Sequence, residues 1–260
     1  MGFTFRDNFL GFLAKLSKCY EYLCAIGVHS SPASGNHHRM EKEYRDLGYS
    51  FLILLAIVIA GFFKTYFGLI PQFNVSTTTA VHFHAFIMTL WVVLLIIQPL
   101  LIRSGRTDIH RIIGRSSYVI APLVVYSIYL MADKQFHEDV ARQCSSAHNW
   151  RHLYTPFIKG TLFSVFYILA ITNKRRTPFH MRYMICTGLV FVSPSLARVG
   201  IFFFHIPVFV SENLSLLIIN LVVIGLIFYD KSKNLNNKAW KIALPFFLFH
   251  NISWFILFYP

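Results

Sequence analysis

Three cations and four histidines are the residues of this chain best placed to do chemistry. Lys64, Lys159 and Arg198 stand inside long apolar runs, while His82, His84, His152 and His205 stand at or near the ends of such runs. A charge in hydrocarbon costs free energy unless something compensates it, so a buried cation marks a place where a ligand can bring the opposite charge. Haem propionates, a lipid phosphate, a carboxylate, or a quinone head that gains charge on reduction would all serve. Neutral imidazole ligates zinc, copper, iron and haem. His82 and His84 are two residues apart, so on a helix they diverge by about 200° and only one can face a given metal. His84 is the better placed, with His152 or His205 as the opposite ligand. For either lysine alone the competing account is snorkelling, the stem stretching its ammonium to the interface. That account is weaker for Arg198, which lies deeper and follows Ser193, Pro194 and Ser195, where the proline would free the Val190 carbonyl.

Composition names the elements that must hold these residues. The chain is 55% hydrophobic, 17% aromatic and 13% charged, whereas a soluble domain carries roughly 25% charged residues. Apolar runs at 50–71, 80–102, 116–132, 155–171, 184–206, 214–229 and 242–260 are each close to the roughly 17–25 residues that cross a bilayer as a helix. The expected fold is all-α, a polytopic membrane bundle of about seven transmembrane helices. Intrinsic disorder, a disulfide-rich secreted module and a long coiled coil are excluded. No Asp or Glu falls inside the runs so drawn, which leaves the three cations without an intramembrane carboxylate.

The net charge of +13 first suggests nucleic acid, but the placement of the charges removes that reading. The leader and alternate loops collect eighteen Lys and Arg; the opposite side collects Lys134, Arg142 and Arg151. By the positive-inside rule the amino terminus is cytoplasmic and the carboxyl terminus external, as expected for a bacterial inner-membrane protein. Lys64, Lys159, Arg198 and His84 then share the outer half, within about 6–12 Å of its boundary. Partners implied are the lipid bilayer and a membrane protein or a second copy of the chain, with no nucleic acid.

Residues 1–48 read as a cytoplasmic leader and 49–260 as the transmembrane domain. Phe9, Leu13, Leu16, Tyr20 and Leu23 recur at helical spacing, which suits a helix lying in the interface. A Ser/Pro/Gly/His linker follows at 30–38, and Met40 is an equally good natural start, which would make the first 39 residues an appendage. No cleavable signal or myristoylation pattern is present. The cysteines form no CxxC and no well-placed pair. Glycine-rich phosphate loops, a serine elbow and HExxH are absent, so no catalytic residues are named.

Two patterns organise the spans. Arg106-Thr107-Asp108-Ile109-His110 recurs seventy residues later as Arg176-Thr177-Pro178-Phe179-His180, which predicts two tandem helical hairpins forming a four-helix core from spans two to five. His84, Trp91 and Gln98 lie seven apart on one face of span two, which should turn into the bundle. For Trp91 and Gln98 the expected role is an interhelical ladder. Arg106, His110, Arg111, His180 and Arg182 sit at the level of cytoplasmic lipid heads, where an interfacial anion or lipid contact is the first reading and a proton or anion entry point the second.

The string His82-Phe83-His84-Ala85, then Trp91, Gln98, Gly105-Arg106, His110-Arg111 and Gly114, followed by His180-Met181-Arg182-Tyr183-Met184 and Arg198, resembles a widespread family of uncharacterised bacterial multi-span membrane proteins. The resemblance covers roughly 49–204; it implies a helical membrane fold and carries no activity with it. More remotely, the chain is similar to small membrane proteins implicated in cytochrome oxidase assembly. Its histidine-bearing four-helix core is similar to that of transmembrane b-type cytochromes. Haem ligands in those cytochromes lie within the spans, whereas His110 and His180 stand at or beyond the span ends. Three function classes remain: a redox-type or respiratory-accessory protein binding haem, copper or another metal, or quinone; a non-catalytic assembly factor; and a transporter or sensor of a small anion or lipid. The first is the leading expectation.

Overall fold

A computed structural model of the chain describes residues 44, 46–72, 78–141 and 146–259, with 146–152 in backbone alone. The leader helix and linker lie outside the described residues. Among the described residues seven α-helices follow one another: α1 Leu47–Phe62, α2 Thr79–Arg103, α3 Thr107–Ala141, α4 Ser146–Thr172, α5 Thr177–Phe204, α6 Val208–Ser232 and α7 Lys238–Phe258, with a 3₁₀ turn at Phe67–Leu69. No strand occurs among the described residues. α2 to α7 are long and apolar enough to cross a membrane, α4 counting from Leu153; α1 is apolar but has 16 residues. An all-helical bundle is what hydrocarbon allows, because each helix satisfies its own backbone donors and acceptors.

The four-helix core is built from two tandem hairpins. α2 packs on α3, α3 on α4, and α4 on α5, with α5 returning to α2. α1 lies against α2 and α5; α6 packs on α5, and α7 on α6, α4 and α5. The repeated segment opens the outgoing helix of each hairpin in the same register, with Thr107 first in α3 and Thr177 first in α5. In both, the histidine N–H donates to the carbonyl of the repeat's arginine: His110 to Arg106 and His180 to Arg176, each at 3.1 Å. Both histidine rings then tie back to the incoming helix. His180 Nδ1 donates to the Ala170 carbonyl at 2.8 Å, and the Gln98 amide reaches His110 Nδ1 while accepting from the Gly114 N–H at 3.1 Å. Gly105, at φ 77°, supplies the left-handed residue that the turn of the first hairpin needs.

Trp91 is fully buried, edge-on to Phe163 at 4.9 Å and to Tyr167 at 5.6 Å between ring centres. The face carrying His84, Trp91 and Gln98 therefore turns into the bundle as its seven-residue spacing predicts. The opposite surface is apolar: Ile53, Phe228 and Ile256 are among many large side chains exposed. In water this would be an aggregation hazard, and in lipid it is the expected coat.

Three sequence expectations change. The long loop expected at 133–154 is largely helix, since α3 continues through Ala141 and α4 starts at Ser146. The reason is local: Lys134–Glu138, Gln135–Asp139 and Asp133–His137 are all i,i+4 pairs, the spacing that supports a helix past the end of an apolar run. The first helix stops at Phe62, which leaves Lys64 beyond it in the following turn. The sixth begins at Val208 instead of Leu214 and continues through Ser232. Both Glu212 and Asp230 are thereby inside it, so the expected absence of an intramembrane carboxylate is overturned.

Candidate functional site

A cavity of about 480 Å³ opens inside the four-helix core, between α2, α3, α4 and α5, and is closed on one side by α1. Its wall is mainly apolar, with His84, Lys159, Arg198 and Glu212 as its principal polar groups. Exposed Thr65 and Gln135 belong to the same wall, so the cavity reaches the molecular surface at this end. Within the small-molecule range of roughly 300–1,000 Å³, a mostly apolar chamber with a few converging polar groups has the character of a binding site.

Each polar group is positioned by a neighbouring helix. Lys159, 7% exposed, projects from α4 and donates to Glu212 Oε1 on α6 at 3.1 Å. The other carboxylate oxygen, Oε2, accepts from Ser193 Oγ on α5 at 3.1 Å. Glu212 thus ties three helices together at one point. Arg198 on α5 sends one guanidinium nitrogen to the Pro194 carbonyl at 3.1 Å and lays its face over the Phe62 ring at 4.4 Å. No carboxylate of a described residue makes an ion pair with it. Of the serines flanking Pro194, Ser193 serves Glu212 and Ser195 donates to the Phe191 carbonyl at 2.9 Å.

His84 on α2 meets Ser127 Oγ on α3 through Nδ1 at 3.1 Å. That hydroxyl already donates to the Val124 carbonyl at 2.8 Å, so it is left to accept from Nδ1–H. In the neutral imidazole this proton on Nδ1 leaves the lone pair on Nε2. Met88, one turn along α2, and Met131 on α3 line the same cavity.

Of the expected cofactor residues, the structure therefore brings together His84, Lys159 and Arg198. Lys64 is not among them: it is exposed, donates to the Phe202 carbonyl at 2.6 Å and stands over the Phe203 ring. His82 Nδ1 shares a hydrogen bond with the Tyr66 hydroxyl at 3.0 Å, His205 is exposed at the end of α5, and the His152 side chain lies outside the described residues. Among the described residues no group of three or more His, Cys, Asp or Glu side chains converges as a metal site.

Arg106 and Arg111 are exposed at the opposite end, as a lipid-head contact requires. Arg182 does not join them. It is fully buried, its Nε donating to Asp230 Oδ2 at 2.7 Å, while the Tyr44 hydroxyl donates to Oδ1 of the same carboxylate at 2.5 Å. Asp230 directly follows the apolar run, yet the helix continues through it to Ser232, as it includes Glu212 at its other end.

Two polar residues of the bundle, one of them in the cavity wall, go beyond the sequence expectations. Glu212 sits two positions before the run that defined its span. His250 in α7 is 2% exposed, with Nε2 unpartnered among the described residues. Its signal was available, since a histidine in the middle of the 242–260 run needs a reason. Neither protein-family models, nor curated proteins, nor solved structures give a match to this chain.

Proposed function

We propose that this is a bacterial inner-membrane protein that binds an amphiphilic acid, an apolar body with an acidic head, in the cavity of its four-helix core, as a carrier or sensor of that ligand. The observation that carries the reading is Arg198, a cation on the wall of an apolar chamber with a carbonyl and an aromatic face as its neighbours and no ion-paired carboxylate among the described residues. Such a charge is costly in low dielectric, and a ligand that supplies a carboxylate or phosphate beside it recovers that cost. The apolar remainder of the wall accommodates the body of the ligand. Eighteen basic residues on one side against three on the other support a cytoplasmic amino terminus, with the cavity in the outer half. In reconstituted vesicles the wild-type protein should bind a long-chain carboxylate, and Arg198→Gln should lose most of that binding. Unchanged binding in the variant would overturn the reading.

A second reading has its own observation. His84 presents the Nε2 lone pair from a ring held by Ser127, and Met88 and Met131 share its cavity. Imidazole and thioether are donors that suit haem iron or copper(I), and Arg198 and Lys159 suit haem propionates. A bound group of this kind would supply redox chemistry in a respiratory-accessory role. Its test is an absorption spectrum with metal analysis of purified protein, with loss of either signal in His84→Ala. Colourless, metal-free protein would remove it.

A further inference from the structure

We infer that the cavity selects a head carrying a single negative charge, and that Glu212 is the residue that sets this limit. The inference rests on the amphiphilic-acid reading above and adds the charge of the ligand to it. Among the described residues three cations line the cavity: Lys134, Lys159 and Arg198. Lys134 is matched by Glu138 one turn along α3. Lys159 is matched by Glu212, whose second oxygen is fixed by Ser193. That pair sums to zero whether the proton sits on the amine or on the carboxyl, so the sum does not depend on its protonation. His84 is neutral at pH 8, above the ordinary imidazole value of about 6.5, and Ser127 then holds its proton on Nδ1. What remains is one positive charge, on Arg198.

In a chamber of low dielectric the favoured occupant is the one that brings the sum to zero. A carboxylate or a phosphodiester does so. A phosphate monoester leaves one negative charge in excess, and an alcohol leaves Arg198 as it was. Without the Glu212 carboxylate, Lys159 and Arg198 would both be unmatched and a doubly charged head would be preferred. Glu212 is therefore a specificity-determining residue that works by cancelling one of two neighbouring cations, with no requirement that it touch the ligand.

The test uses the full chain in lipid nanodiscs at pH 8 with four probes: a long-chain fatty acid, an alkyl phosphate of the same chain length, the corresponding alcohol, and inorganic phosphate. The wild type should bind the fatty acid more tightly than the alkyl phosphate or the alcohol by about tenfold or more, a difference readily measured as a ratio of dissociation constants. Inorganic phosphate should bind weakest, because it lacks the apolar body. Glu212→Gln should reverse the order of the two acids. Lys159→Met combined with Glu212→Gln removes the pair together, returns the sum to one and should restore the wild-type order, which separates a charge effect from a folding defect. Retention of the wild-type order by folded Glu212→Gln, or failure of the double variant to restore it, overturns the inference and leaves the binding reading standing. If no amphiphile binds the wild type, both fall; if inorganic phosphate binds as well as the alkyl phosphate, the site is for a free ion and both fall as well.

Discussion

Arg182 and Arg198 lie sixteen residues apart on α5 and show two ways in which a guanidinium inside the bundle can be accommodated. Arg182 is fully buried, ion-paired to Asp230, with the Tyr44 ring at 5.0 Å from its guanidinium carbon. It is a structural charge, and its removal should register as stability. Asp230→Asn strands the guanidinium in the core and should cost about 3–5 kcal/mol, whereas Arg182→Met with Asp230→Leu should recover most of that loss, because breaking a buried pair costs more than replacing it. Thermal unfolding in a mild detergent checks both. Tyr44 extends the argument to pH. Its phenol is pushed above the ordinary value of 10.0, chiefly by burial and then by its hydrogen bond to Asp230. The folded state therefore holds this proton more tightly than the unfolded chain. Its contribution to stability is fully present below pH 10 and declines as pH rises above it. Denaturation midpoints followed from pH 9 upward should fall more steeply in wild type than in Tyr44→Phe, which has no phenol to titrate; parallel curves would count against the pairing. Arg198 has no ion-paired acid among the described residues, and its removal should appear in ligand binding more than in folding.

At the level of elements, the approach of α1 to α5 sets the geometry of the cavity. Gly61 faces the Ser195 backbone so closely that a Cβ there would collide with main-chain atoms. This contact holds Phe62, the next residue, over Arg198. Gly61→Val should therefore push α1 outward at the cavity, cost about 1–3 kcal/mol by overpacking, and weaken ligand binding, although residue 61 is not part of the cavity wall. Stability and affinity that both match wild type would show that α1 does not depend on this approach. The hairpins themselves were readable in the sequence because a repeated arginine–threonine pair starts both outgoing helices and a repeated histidine fastens them. The inward face of α2 was readable because a seven-residue spacing nearly completes two turns. Glu212 and Asp230 were not readable by the same means. Hydropathy ends a span where apolar residues end, but a helix ends where its backbone bonding ends. α6 runs through polar residues at both ends because Lys159 with Ser193 at one end, and Arg182 with Tyr44 at the other, partner the acids. Those partners lie on other elements, 19 to 186 residues away in sequence, and no local pattern reports them.

For the whole molecule, Glu212 and Asp230 stand near opposite ends of one helix, separated by eighteen residues and so by about 27 Å along its axis. Each end of the bundle thus has its own ion pair, near the two boundaries of a hydrocarbon core about 30 Å thick. α3, with 35 residues, is about 52 Å long and must project beyond that thickness. Its Lys134–Glu138 pair and exposed Gln135 then reach the interface on the side where the cavity comes to the surface. Which side of the membrane this is depends on the basic residues. Arg103, Arg106, Arg111 and Arg115, then Lys174, Arg175 and Arg176, then Lys231, Lys233, Lys238 and Lys241 all cluster at the Asp230 end. On the orientation proposed from the positive-inside rule, such loops would stand in the cytoplasm and the cavity would face outward. Cysteines introduced one at a time at Ser104, Asn236 and Gln135, in a background without the native thiols, should separate cleanly by side. In intact cells an impermeant thiol reagent should label Gln135→Cys and spare the other two, and permeabilisation should expose them. The reverse pattern would open the cavity to the cytoplasm and make any acidic ligand an intracellular one, because the rim at Gln135 and the wall at Arg198 belong to one chamber.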